Sequence, residues 1–528
     1  MDTPKEQQLW KGCTEGNLEE IKTILEGNPS VDVNWVGEDR LDTPLHRACR
    51  FGHLEVVKRL LVHPGIEVNK GNKGDGSPFY VACQEGHAAV VGWLLQEHRV
   101  DPGKPQRDGA TPFYIACQGG HQEVVNLLLA DPRIDPNTAA STGVTPLFMA
   151  CQNGHPAVVS LLLDSEKVDP NKPRDTGASP FVIACENGHT AIVAAMLANP
   201  RINPNRPTKN EATPLFMACQ NGHTEVISLL LADERVKPNA PRDTGATPFL
   251  IACENGQRDA VNLLLQDSRI DPNRGTDTEA TPFFMACQQG KRDVVSLLLA
   301  TPGVDPNRKT NRGVAPILIA CENGHLDVVL RLLEDPRIDA DVPKSDQSTP
   351  LWFAAQNGNM SVVHHLLASG RRFDTGRKST FNSRTAAQQG RVQPSVPKAG
   401  NESDENFRRR TTEGPVIGNL IDEYEKDPVG VRLRLRQLPG VRRSYIGRTF
   451  ALVVFFSDGF VRLLGEESEE AARFFKLCSR LPLDLQMVVC RRMYGSASDV
   501  VKSAESEPAF RWLARPSTWD LDPPELSN

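Results

Sequence analysis

One interval constrains this chain more than any other property. A Thr-Pro step, or a close relative, begins at Thr43, Ser77, Thr111, Thr145, Ser179, Thr213, Thr247, Thr281, Ala315 and Thr349, always 34 residues apart. A Cys follows six residues later in nine of these ten units, from Cys49 to Cys321, and Ala355 takes its place in the last. A partial unit with Cys13, Gly16 and Asn17 precedes them, making about eleven. A chain of 528 residues would otherwise suggest three or four separate domains. A tandem array instead grows by stacking, with no single large core.

The unit 145–178 shows what each copy builds. Thr145 suits an N-cap, and Pro146 suits the first helical position, where its missing N–H would be unpaired anyway. The spacing predicts a short first helix ending at Gly154 in the left-handed region. Val158, Val159, Leu161, Leu162 and Leu163 predict the apolar face of a second helix, and Asp169-Pro170-Asn171 opens a turn-rich finger. One such pair cannot bury its own apolar face, so stacking must supply the core.

These residues resemble the ankyrin repeat. Thr43-Pro44-Leu45-His46, Ala48-Cys49, Gly52-His53, Val56-Val57 and Leu60-Leu61 match the family pattern, and the resemblance covers residues 1–370. The tetratricopeptide, the other common 34-residue repeat, lacks the Thr-Pro start and the Gly-His turn. The resemblance implies an all-α solenoid that binds proteins on a concave face made of fingers and first-helix ends. Only His46 keeps the family's His; Tyr80, Tyr114, Phe148, Phe216, Phe284 and Trp352 stand at that position later. Apolar stacking is expected to replace the polar network there, and the finger is one residue longer than usual.

A second period lies inside the first. Phe148, Phe216 and Phe284 open one variant of the unit, while Ile183, Ile251 and Ile319 mark the other, so the duplicated block is 68 residues. Gln152, Gln220 and Gln288 consequently alternate with Glu186, Glu254 and Glu322. Tandem duplication explains the pattern; an extended partner with a matching repeat would also fit it.

No catalytic constellation emerges. The Cys row reads as a small buried hydrophobe, with no ligand pair at zinc spacing. The His residues at 53, 87, 121, 155, 189, 223 and 325 fall at the turn between paired helices, a structural place. Phosphate loops, His-Glu-x-x-His and nucleophile elbows are missing. No enzyme, cofactor or metal is expected. The finger residues Lys104, Arg107, Lys172, Arg174, Arg206, Lys209, Arg242, Arg274, Arg308, Lys309 and Arg312, with the Gln/Glu row, are the candidate partner contacts.

Charge divides the chain into three: residues 1–370 carry a net −11, 371–415 a net +5, and 416–528 zero. The middle stretch reads as a disordered basic linker, and its Arg408-Arg409-Arg410 as a solvated charge run, a nuclear signal or a kinase site. Beyond it, Ile417, Leu420, Ile421 and Tyr424 predict a helix, and Asp427-Pro428 starts another element that could be helix or strand. Helices are expected near 467–479, 482–493 and 505–514, so the module 416–528 reads as mostly helical. It contains no His, which removes His-based chemistry from it. Residues 480–489 resemble the start of an F-box, with Leu481, Pro482, Leu485 and Val489 as the docking stripe that this resemblance implies.

The expected function is a non-enzymatic scaffold or adaptor for protein partners. The alternative is a substrate adaptor that meets a ubiquitin-ligase linker protein through the F-box-like stripe. Nucleic acid and membrane are not expected as partners: the net charge of −6 is mild, and the longest apolar run, Ala451 to Phe456, is far too short to span. The start MDTPKEQQLW has no apolar signal region, and twelve Cys then imply reduced thiols in the cytoplasm or nucleus.

Overall fold

The computed structural model describes residues 4–37, 40–380, 385–390 and 413–436, with isolated positions 438 and 441. Every element among them is helical. Two compact units divide the chain at Asp277 and Thr278. The first holds eight helix pairs, from Lys5–Glu15 with Leu18–Gly27 to Pro248–Asn255 with Arg258–Leu264. The second begins with Pro282–Gln288 and Arg292–Ala300 and holds three pairs before its C-terminal helices.

Each pair forms for the reasons its residues supply. The Thr145 hydroxyl accepts a hydrogen bond from the Phe148 N–H at 3.2 Å, and Pro146 follows it. Ser77, Thr111, Ser179, Thr213, Thr247, Thr281 and Thr349 cap the same way, whereas Ala315 has no side chain to do so. Gly120 ends its helix at φ 73°, and a Cβ there would stand 2.5 Å from Nδ1 of His155. Both the left-handed backbone and the neighbouring ring therefore require glycine.

The core is the sum of the contacts between neighbours. Val158, Val159 and Leu162 of a second helix are buried, as are Leu147, Phe148 and Cys151 of its partner first helix. All ten Cys of the described repeats are buried, and burial pushes their thiols up, Cys151 among them. They pack as small apolar groups.

Three hydrogen-bond ladders tie neighbours together. The His after each glycine donates backwards: Nε2 of His155 reaches the Gln118 carbonyl at 2.9 Å, and His189 reaches Gln152 at 3.0 Å. In the finger, the Asn of Asp-Pro-Asn grips the next unit with both ends of its amide. Nδ2 of Asn137 donates to the Lys167 carbonyl at 2.7 Å, while its Oδ1 accepts from the Asp169 N–H at 2.7 Å. The third ladder is arginine. Arg235 donates to the Leu197 carbonyl at 2.7 Å and holds both carboxylate oxygens of Asp233, so it occupies an orphan carbonyl near the end of the preceding second helix. Arg269 and Arg337 repeat this arrangement on Leu231 and Leu299.

His46 keeps a polar role. Its Nδ1 accepts from the Thr43 N–H at 3.1 Å, and its Nε2 faces the Gly76 carbonyl at 2.9 Å, which fixes the neutral ring with the proton on Nε2. Burial lowers its pKa to about 4, against the raising effect of the Gly76 carbonyl. The unfolded chain takes up this proton near pH 6.5 and the folded chain only near 4. The stability held above pH 6.5 should therefore drain away as pH falls to 4, by on the order of 3 kcal/mol. Urea titrations of wild type and His46→Phe across that window check this: the variant should lose less stability on acidification.

Past residue 370 the packing continues. Arg371 donates to the Leu333 carbonyl at 3.2 Å, as the arginine ladder does, and the Thr380 N–H donates to the Asp346 carbonyl at 2.7 Å. Ala386 and Ala387 are buried in the helix Ala386–Gly390, whose Ala-Ala-Gln-Gln-Gly parallels the Ala-Ala-Gln-Asn-Gly of 354–358. Within the stretch expected to be a linker, this short helix packs against the first helix of the last repeat pair. Helices Gly414–Lys426 and Pro428–Arg436 then cover that end. Ile417 and Ile421 are fully buried, Val431 and Leu435 nearly so, and Nε of Arg436 donates to the Ala368 carbonyl at 3.1 Å. The element left open between helix and strand at 428–436 is a helix, because Val431 and Leu435 share one buried face four residues apart. The helices expected beyond 466 and the Arg408-Arg409-Arg410 run lie outside the described residues.

Candidate partner-binding surface

The first helix buries one side against its second helix and turns the other away. In Pro214–Asn221 the outward stripe is the part-exposed Met217 and Gln220 with the exposed Asn221, one turn apart. Fingers flank this stripe and are joined to one another through the backbone. The Arg107 N–H donates to the Gly74 carbonyl at 3.0 Å, Ser141 to Asp108 at 2.9 Å, and Lys209 to Thr176 at 3.1 Å. A row of fingers linked in this way holds its side chains at fixed spacing.

The candidate finger residues fall into two groups. Lys104 and Lys172 turn inward, and each Nζ donates to a carbonyl of the preceding finger, Asn69 at 2.6 Å and Asn137 at 2.9 Å. These two brace the fold. Arg107, Lys209, Arg274, Arg308, Lys309 and Arg312 are exposed, Arg206 is half-exposed, and Arg107 pairs with Asp75 at 3.2 Å. Arg174 and Arg242 do something sequence reasoning missed. Their guanidinium carbons lie 5.2 and 5.6 Å from the ring centres of Phe148 and Phe216. The rings that replaced the family's His thus hold a finger arginine in place, 68 residues apart.

Gln152, Glu186, Gln220 and Glu254 in the first unit are half-exposed at the ends of first helices, as are Gln288 and Glu322 in the second. Their side chains look outward, while backbone carbonyls such as that of Glu186 accept from Asn221 and His223. Burial raises the Glu322 carboxyl, opposed by Lys344. Beside this row runs a second that sequence reasoning overlooked. Ile115, Met149, Ile183, Met217 and Ile251 occupy the fifth position of successive units; Ile115, Met217 and Ile251 are part-exposed, whereas Met149 and Ile183 are buried. The signal was an apolar residue kept at 34-residue spacing where Arg47 stands in the second repeat.

Among the described residues no cluster of three or more His, Cys, Asp or Glu could hold a metal ion. None of the described helices is long and apolar enough to cross a membrane. The dock residues Leu481, Pro482, Leu485 and Val489 lie outside the described residues.

The family model for ankyrin repeats (three copies) matches residues 5–72, 65–140, 133–208, 181–276 and 283–378. The chain belongs to the ankyrin-repeat family. That family is in general a non-enzymatic protein-interaction fold, so the array's partners are proteins. Oxysterol-binding protein-related protein 1 of Homo sapiens is 42% identical over 76 residues, 13% of this ankyrin chain and 8% of the relative. Its Rattus norvegicus counterpart is 40% identical over the same length. The match thus spans less than a tenth of those relatives. Among solved structures, the ankyrin repeat domain of Bcl-3, a member of the IkappaB protein family, aligns at 25% identity with a TM-score of 0.38. That alignment covers 42% of this ankyrin chain and 98% of the other.

Proposed function

We propose that this ankyrin-repeat protein is a non-enzymatic scaffold or adaptor that holds a partner protein against its first-helix stripes and finger tips. The observation carrying this reading is the backbone linkage between fingers, exemplified by Arg107 to Gly74 and Lys209 to Thr176. A row of exposed polar tips on hydrogen-bonded fingers, beside a part-apolar stripe, offers shape and charge to a partner with little backbone ordering to be done on binding. No convergent titratable groups compete with that role in the described residues. The cytoplasm or nucleus suits a surface with so many free thiols beneath it.

The test reverses charge at Arg107, Arg206 and Lys209 in the full chain, since residues beyond 370 help close the array. Bound partners are then quantified by pull-down and mass spectrometry. The scaffold reading expects partners to be lost by about tenfold with an unchanged melting curve, because rim charges steer binding more than folding. An unchanged partner set would contradict it.

A further inference from the structure

We infer that the ring of Tyr114 is a seat for an arginine side chain of the partner protein, completed by the carboxylate of Asp108. This rests on the scaffold reading and names a group that the surface selects.

The array itself supplies the template. Phe148 and Phe216 each carry a guanidinium from the finger of their own unit, Arg174 at 5.2 Å and Arg242 at 5.6 Å from the ring centre, and both rings are 1% exposed beneath them. In both units the arginine stands 26 residues after the ring. It also opens the same finger turn. The Arg174 N–H donates to the Ala178 carbonyl at 2.9 Å, and the Gly177 N–H donates to the Arg174 carbonyl at 2.8 Å.

Tyr114 holds the ring position one unit before Phe148, and the residue 26 further on is Ala140. The turn there is the same: the Ala140 N–H donates to the Val144 carbonyl at 3.0 Å, and the Gly143 N–H to the Ala140 carbonyl at 2.9 Å. The backbone that brings a guanidinium over Phe148 is therefore present, but its side chain ends at a methyl. Among the described residues no cation lies over Tyr114, which is part-exposed. Tyr80, whose counterpart is Gln106, is 3% exposed and offers no such room.

The charge beside the ring suits a cation. Asp108 is exposed, accepts from Nε2 of Gln106 at 3.1 Å and from the Ala110 N–H at 3.0 Å, and pairs with no cation among the described residues. Burial pushes the Tyr114 phenol up, and the Asp108 carboxylate adds to it, which places the two groups within electrostatic reach. Arg107, the basic residue next to Asp108, is held by Asp75 at 3.2 Å. An incoming guanidinium would lay its flat face on the ring and turn its N–H edge to Asp108, a division that a lysine ammonium cannot make.

The experiment uses the full-length protein with fluorotyrosine at its five tyrosines, read by fluorine NMR, the Tyr114 resonance being assigned with Tyr114→Phe. N-acetyl-arginine amide is the probe, and N-acetyl-citrulline amide, its uncharged counterpart of the same shape, is the comparator at constant ionic strength. The arginine probe should move the Tyr114 resonance saturably at millimolar concentration, and the citrulline probe should not. Ala140→Arg should abolish the response without lowering the melting temperature, because its own guanidinium takes the seat. Asp108→Asn, at an exposed position, should weaken the arginine probe roughly threefold to tenfold. Equal responses to the two probes, no saturable response, or a full response retained in Ala140→Arg would overturn the proposal. If finger-tip reversal still sheds partners while the arginine probe leaves Tyr114 unmoved, the scaffold reading stands and this one falls.

Discussion

Replacing Ile417 and Ile421 together by Asp in the full chain is expected to unfold the C-terminal end of the array as well as the helix that carries them. Both side chains are completely buried. Losing two such groups and burying two carboxyls should cost at least about 4 kcal/mol. The cost spreads because the helix Gly414–Lys426 packs on Ala386–Gly390 and on the last repeat pair, Pro350–Gln356 and Met360–Ala368. End repeats with an uncovered apolar face lose their share of the stacking energy. Hydrogen exchange read at residues 349–380 checks this. Those amides should lose protection in the variant while residues 145–200 keep theirs. If protection at 349–380 is untouched, the helices from 414 onward do not close the array.

Phe216→Ala should cost about 3–5 kcal/mol in the unit 1–277, since the ring is 1% exposed and sits beneath Arg242. Phe216→His should cost far less, on the order of 1 kcal/mol, because an imidazole there can address a finger carbonyl as His46 addresses Gly76. Urea denaturation of the three proteins, followed by circular dichroism, separates them. Equal losses for Ala and His would mean that the ring's stacking, and no finger bond, is what that position requires.

Much of the fold was legible because each repeat states its instructions ten times. Thr-Pro starts, Gly ends and the Val-Val and Leu-Leu steps are local signals, and the helices begin and end where those residues require. The Cys row was readable for the same reason, since a small apolar residue at fixed spacing means a buried one. What escaped was everything that acts between units. The Arg235 and Arg269 ladder depends on a carbonyl 38 residues earlier, and Asn137 on backbone 30 and 32 residues later. In the sequence those residues look like ordinary turn polar groups.

The end of the array escaped for a different reason. Ala386-Ala387-Gln388-Gln389-Gly390 lacks a Thr-Pro start and stands 32 residues after the stretch it parallels, so the strict period misses it. Its surroundings are basic and rich in Ser, Thr and Gln, which is the composition of a linker. Only the packing of Ile417, Ile421 and Tyr424 around it shows an element there. In the candidate surface, the charged tips were legible by type but not by direction. Lys104 and Lys172 brace neighbouring fingers, whereas Arg174 and Arg242 lie over rings.

The central claim is that partners meet the first-helix and finger face. Site-specific photo-crosslinking tests it most directly, with the crosslinker placed in the full chain at Arg107, Lys209 or Met217, and for comparison at Ser160 or Ser228 on exposed positions of second helices. After irradiation in cells, the account predicts discrete protein adducts from Arg107, Lys209 and Met217 and none of those adducts from Ser160 or Ser228. Adducts that arise equally from both sets, or only from Ser160 and Ser228, would contradict it.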